Sequence, residues 1–332
     1  MRRLKAEWEP QNVVLMALPN ATTDWANGNL ESASATFRKI AQAIGYSQMV
    51  YMLTNNVQEA KQHFCSTNNI IFIEAAYNDT WTRDYGALSI EDSGQKRLLD
   101  FTFNGWGGKY EAGLDNQVNR FLAGKGFFGG TELESIDFEL EGGSIESDGA
   151  GTLLTTKSCL LNRNRNGGLG QSEAEEILGE YLGAKRVLWV ENSYLEGDDT
   201  DGHIDMLARF VSTDTIAYSK CEDSSDSHYK SLQEMERELK SFRQANGAPY
   251  NLVPLPFREP IYKDGNRLPA SYANFLITNK AVVLPTYESK QDRVAVEVLK
   301  ELFPSREIIP VPSLNLIEQG GSIHCSTMQI SF

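Results

Sequence analysis

A strand–strand–helix–strand pattern recurs along this chain, and it constrains the fold more than any single residue does. Asp84–Glu91 and Arg97–Phe103 flank an Asp-Ser-Gly turn as a hairpin, with a helix at Asp115–Leu122 behind it. Glu141–Ser147 and Thr152–Leu161 repeat the hairpin around Asp-Gly-Ala-Gly. A helix follows from Ser172, where Glu175 completes a capping box; it ends at Gly183, ahead of the strand Arg186–Glu191. His203–Val211, Thr215–Ser219, a helix over 227–244 and Asn251–Leu255 form a further unit, and Ser271–Thr278, Ala281–Pro285, Ser289–Leu302 and Glu307–Val311 form another. The chain opens differently, with strands at Val13–Pro19, Met49–Leu53 and Ile70–Glu74 between helices at Leu30–Ile44 and Val57–Phe64. Its last strand, around Cys325, lacks a hairpin partner, and Val13–Pro19 is the segment left to pair with it.

Each small unit buries its faces only against its neighbours. Five of them predict an α/β fold: a closed, pseudo-symmetric five-bladed propeller of ββαβ units, one catalytic domain over residues 1–332. GGSI occurs literally twice, at Gly142–Ile145 and Gly320–Ile323. No Pro- or Ser-rich linker divides the chain.

A net charge of −14 argues against nucleic acid and anionic membranes as partners, because phosphate binding needs clustered Lys and Arg; it is compatible with a cationic ligand, although surface acidity that merely aids solubility is the commoner cause. No apolar run is long enough for a membrane span, and MRRLKAEWEP lacks a signal-peptide core, so the expectation is a soluble cytoplasmic protein. Four cysteines without a C-x-x-C pair and four scattered histidines argue against a disulfide framework or a zinc site. No metal or cofactor is expected, and a homo-oligomer is compatible with the sequence. Gly124, Gly126 and Gly129 fit G-x-G-x-x-G, but helix precedes and strand follows, the reverse of a dinucleotide site.

In EQGGSIHCSTM (Glu318–Met328), an alternating strand would set Ile323, Cys325 and Thr327 on one face and His324 on the other. A cysteine just after Gly-Gly is placed to be a nucleophile whose base comes from elsewhere, although a lone cysteine is more often a buried structural residue. HIDMLARFV read as a strand projects His203 and Asp205 together, roughly 7 Å apart. Trp81, Arg83 and Asp84 crowd the mouth of one hairpin, Glu141 enters another, and Asn274 stands near the same point of its own. Asp84, Glu141, His203, Asn274 and Cys325 thus occupy equivalent strand ends in five successive units, and equivalent ends of a closed ring converge near its axis. Trp106, in the glycine-rich loop NGWGGKY, is a secondary candidate for the wall.

WTRD (Trp81–Asp84), EGGS (Glu141–Ser144), GHID (Gly202–Asp205), SYANF (Ser271–Phe275) and GGSIHC (Gly320–Cys325) together resemble the agmatine deiminase and bacterial peptidylarginine deiminase family. AEWEP (Ala6–Pro10) resembles that family's start, so the likeness spans nearly the whole chain. The resemblance implies the propeller of the guanidine-modifying superfamily and cofactor-free hydrolysis of a small cationic guanidine. It also implies roles: Cys325 as nucleophile, His203 as acid/base, Asp84 and Asp205 as guanidinium-binding carboxylates, Glu141 as a supporting acid near His203, and Trp81 and Asn274 bordering the substrate. Agmatine is the expected substrate, because no Arg or Lys in the matched motifs is committed to a carboxylate. Peptidyl-arginine is the alternative, with Arg163 and Arg165 as residues able to bind a carboxylate. A non-catalytic polyamine-binding relative is the third reading, disfavoured by the intact Cys325, His203 and Asp205.

Overall fold

A computed structural model describes residues 1–332 as an α/β fold with mixed sheets. Five sheets repeat one pairing order, a hairpin followed by a parallel strand: Leu88–Asp92, Gln95–Thr102 and Leu133–Glu139; Ile145–Ser147, Thr152–Thr156 and Arg186–Val190; Ala208–Ser212, Thr215–Lys220 and Asn251–Pro256; Leu276–Ile277, Ala281–Thr286 and Glu307–Pro312. In the fifth, Met328–Ile330 lies antiparallel to Val13–Ala17 with Met328 opposite Leu15, and Met49–Thr54 and Ile70–Glu74 add in parallel.

Central strands with both faces covered are continuous apolar runs, and VVLMA of Val13–Ala17 is buried at every position. Helices cover the outer faces. Leu30–Gly45 turns Ala33, Phe37, Ile40, Ala41 and Ile44 inward, the three-and-four spacing of an amphipathic helix. Lys290–Leu302 starts with a capping box of Ser289 and Asp292, a real one. The box expected at Ser172 and Glu175 does not form. That helix runs Gln171–Leu182 from Gly170, and Glu175 instead accepts hydrogen bonds from Trp189 Nε1 and Gln171 Nε2.

Four strands escaped the sequence reading, two of them the small antiparallel pair Tyr262–Lys263 and Asn266–Arg267 and two in the repeating sheets. Leu133–Glu139 is half exposed and charged, and Arg2–Leu4 gains strand character only by pairing with Leu88–Asp92. The glycines at 124, 126 and 129 lie at a helix end and in the turns after it, so they form no dinucleotide motif.

Candidate active site

The segments carrying the candidate residues are turns, where strands were expected. Asp84 lies in the helical turn Thr82–Tyr85, Glu141 caps the 3-10 turn Gly142–Ser144, His203 caps Ile204–Met206, and Cys325 sits in the turn over 323–326. Asn274 follows a turn at 272–273. Each precedes the first strand of its sheet. Hydroxyls make this irregular backbone tolerable: Ser144 Oγ donates to the Glu141 carbonyl at 2.6 Å, Ser271 Oγ to that of Met206 at 2.6 Å, and Ser326 Oγ to that of Ile323 at 2.9 Å. The 7 Å strand spacing inferred for His203 and Asp205 therefore does not apply, nor does the alternation inferred around Cys325.

Three of the five turns, those of Asp84, His203 and Cys325, line a cavity of about 480 Å3. Trp81, Asp84, Trp106, His203 and Cys325 form its floor and walls, while Asp24, Asp79, Asp199 and Glu318 line the approach. Trp81 packs closely against Gly321, where a Cβ would lie 2.4 Å from the indole, and Trp25 lies beside it with ring centroids 5.7 Å apart. Gly143 is equally constrained, since a Cβ there would come within 2.7 Å of His203 Nδ1 and 2.8 Å of Asp84 Oδ1. Asp84 Oδ1 accepts the Gly143 N–H at 3.0 Å and Oδ2 accepts Trp106 Nε1–H at 3.0 Å.

Burial dominates the electrostatics. It raises Asp84 well above the usual carboxylate range, with the Asp205 charge adding to the effect. Burial, then Asp205 and Asp84, pushes the Cys325 thiol well above its ordinary value. Burial drives His203 down to about 3, so its 3.6 Å approach to Asp84 is a contact of a neutral ring and not an ion pair. For Asp205 burial acts in the same upward sense, but the hydrogen bond and charge of His324 outweigh it and hold the carboxyl below its usual range.

Asp205, Glu141 and Asn274 stand behind the wall and do not line the cavity. Asp205 Oδ2 lies 3.7 Å from Cys325 Sγ, and its Oδ1 is buried with no hydrogen-bond partner. Asn274 gathers the nucleophile turn: its Oδ1 accepts the N–H groups of His324 (2.9 Å) and Cys325 (3.3 Å), and its Nδ2 reaches Sγ at 3.2 Å. Glu141 lies near His203 without a hydrogen bond to it; both its oxygens accept from Arg165 Nε, at 2.7 and 2.9 Å. Arg165, whose Nη1 also meets Asp201 at 2.7 Å, is thereby buried as a strut and presents nothing to a ligand. Arg163 is exposed and away from the cavity, so neither arginine of LNRNRN lines it.

Two carboxylate-histidine groups have metal-like spacing, Glu141 with Cys159 and His203, and Glu7 with Glu146 and His324. In both, an arginine already occupies the carboxylates, so a metal ion would have to displace a guanidinium.

Sequence reasoning undervalued Trp106 and missed His324 and Glu7. The signal for Glu7 was the AEWEP segment, noticed only as part of the resemblance. His324 was set aside as unable to serve the adjacent cysteine, and its ring does turn elsewhere, to Asp205 and Glu7.

The profile of the Porphyromonas-type peptidyl-arginine deiminase family matches residues 3–331. Agmatine deiminase of Pseudomonas aeruginosa is 35% identical over 98% of this chain and 95% of its own length. A Porphyromonas gingivalis protein, named provisionally as an arginine deiminase, superposes with a TM-score of 0.95 at 45% identity, over 99% of this chain and 98% of the other. A cysteine-to-serine variant of C. jejuni agmatine deiminase, solved with substrate bound, superposes with a TM-score of 0.93 at 38% identity, over 100% of this chain and 97% of the other.

Proposed function

Because this chain belongs to the Porphyromonas-type peptidyl-arginine deiminase family, we propose that it hydrolyses agmatine to N-carbamoylputrescine and ammonia through a covalent adduct on Cys325. One observation carries the choice of substrate. Five of the seventeen residues lining the cavity are acidic and none is Lys or Arg. Such a wall favours a dication, repels the carboxylate of free arginine, and is indifferent to the neutral backbone of peptidyl-arginine.

In this reading the guanidinium is held by Asp84 and by Asp205, whose Oδ1 is the one buried carboxylate oxygen lacking a donor. The bound cation lowers the thiol pKa, opposing burial, and the proton passes to the neutral His203. Sγ attacks the central carbon, and protonated His203 returns its proton to the departing nitrogen, which leaves as ammonia. Water then gives a proton to His203 and attacks the S-bound amidine carbon; collapse releases the ureido product and the thiolate, which is reprotonated. A serine variant of a relative that retains its substrate suits a thiol that does the chemistry.

The same reading takes the five sheets as blades of a five-bladed propeller, closed where Val13–Ala17 meets Met328–Ile330, in one catalytic domain. With four free cysteines, it places the protein in the cytoplasm.

Incubation with agmatine, free arginine and an arginyl peptide, scoring ammonia and ureido product with Cys325→Ala as control, is the test. Agmatine should turn over fastest. Faster turnover of the peptide makes the protein a peptidylarginine deiminase, and the agmatine reading falls.

A further inference from the structure

Beneath the cavity, His324 is clamped between two acids. Its Nδ1 lies 2.7 Å from Asp205 Oδ2 and its Nε2 lies 2.7 Å from Glu7 Oε2, and the ring is 1% exposed. Ionised carboxylates only accept, so the ring satisfies both contacts only by donating from both nitrogens. Charge bookkeeping leads to the same conclusion. Glu7, Glu146 and Asp205 are buried with two guanidinium groups, Arg83 and Arg209, leaving one negative charge uncompensated, which a doubly protonated His324 cancels.

The rest of the cluster holds the clamp still. Arg209 Nη2 donates to Glu7 Oε2 at 2.7 Å, Arg209 Nε donates to Glu146 Oε1, and the Ile277 N–H donates to Glu7 Oε1 at 2.6 Å. Arg83 Nε reaches the His324 carbonyl at 3.3 Å, and its Nη2 stands 3.9 Å from Glu7. On the cavity side Asp205 faces His203, Asp84 and Cys325. With Oδ2 engaged by the imidazole, Oδ1 is the one oxygen of Asp205 without a hydrogen-bond partner.

We propose that Glu7 and His324 are positioning residues for the deimination: together they lock Asp205 in one orientation with one free oxygen for a substrate N–H. Neither touches substrate. This rests on the agmatine reading, in which Asp205 binds the guanidinium. It also explains why Glu7, far away in sequence, belongs to the site: it supplies the far acceptor that stops the imidazole from turning.

Two measurements test it. In protein labelled with 15N-histidine, both His324 ring nitrogens should carry a proton at pH 7, giving two N–H resonances absent from His324→Gln. That readout uses no substrate, so it stands apart from the agmatine reading; a singly protonated ring overturns the clamp. The second is kinetic, on agmatine. Without the His324 cation Asp205 retains its proton to higher pH, so the acid limb of kcat/KM should move upward in His324→Gln. KM should rise about tenfold, with a smaller change in kcat. Glu7→Gln keeps the ring and should shift both in the same direction by less, which covers the case where His324→Gln fails to fold. Lower kcat in Glu7→Gln with KM and the acid limb unmoved reduces the pair to a structural role and overturns the proposal.

Discussion

The floor and the rim of the cavity use the same acidic residue types and hold them differently. At the floor Asp84 is 4% exposed with a donor fixed on each oxygen, and behind the wall Asp205 is fully buried with one oxygen on His324. At the rim Asp24 and Asp199 are exposed, Asp199 Oδ2 held by the Tyr110 hydroxyl at 2.8 Å, while Glu318 pairs with Lys263 at 2.6 Å. A carboxylate dried and pinned within reach of a reacting carbon acts on bond making, because its charge is unscreened and it does not reorganise during the reaction. A wet carboxylate acts on encounter and choice of ligand, and salt weakens it.

That contrast breaks most decisively at Cys325. Cys325→Ala should reduce agmatine turnover roughly 10^4-fold or more while calorimetry still detects agmatine binding. Residual turnover within tenfold of the native protein would remove the thiol from the chemistry.

Asp84→Asn should lower kcat/KM about 10^2- to 10^3-fold. The native KM should itself fall as pH rises, because Asp84, raised by burial and by Asp205, must lose its proton to hold a cation. In the asparagine variant that slope should flatten. An unchanged slope would assign the titration to another group.

A finer test of floor geometry is Trp106→Phe, which keeps the packing and deletes one hydrogen bond to Asp84. A bond to a charged group is worth about 1.5–3 kcal/mol, so kcat/KM should fall by at least about tenfold. No change would mean that the Gly143 N–H alone positions Asp84.

The smallest effect is expected at the rim. Asp199→Asn should raise KM for agmatine about two- to threefold at low ionic strength, as one exposed charge interaction allows. In about 1 M salt, where the screening length is ~3 Å, the difference should vanish. Butylguanidine, which lacks the distal ammonium, should not register the substitution in either condition. An equal loss for both substrates would show that Asp199 shapes the opening without reading charge.

The sequence by itself determined the repeating sheets, because apolar runs and amphipathic helix faces are local patterns. Ile70–Glu74 ends where its run of residues ends, and Ala281–Thr286 and Glu307–Pro312 each extend one residue past their expected limits. It also singled out the residue types that gather at and behind the cavity, since a thiol, an imidazole and acids recur at equivalent points of successive units. Tertiary structure alone decided their geometry. Local alternation around Cys325 and His203 suggested strands, but buried hydroxyls such as Ser326 and Ser144 satisfy the carbonyls that a strand would have paired, so turns carry the site instead. Tertiary structure likewise decided that Arg165 is a strut and His324 a clamp. Their partners lie 24 and 36 residues away for Arg165, 119 and 317 for His324, and no local pattern encodes which charges a folded chain brings into the same dry space.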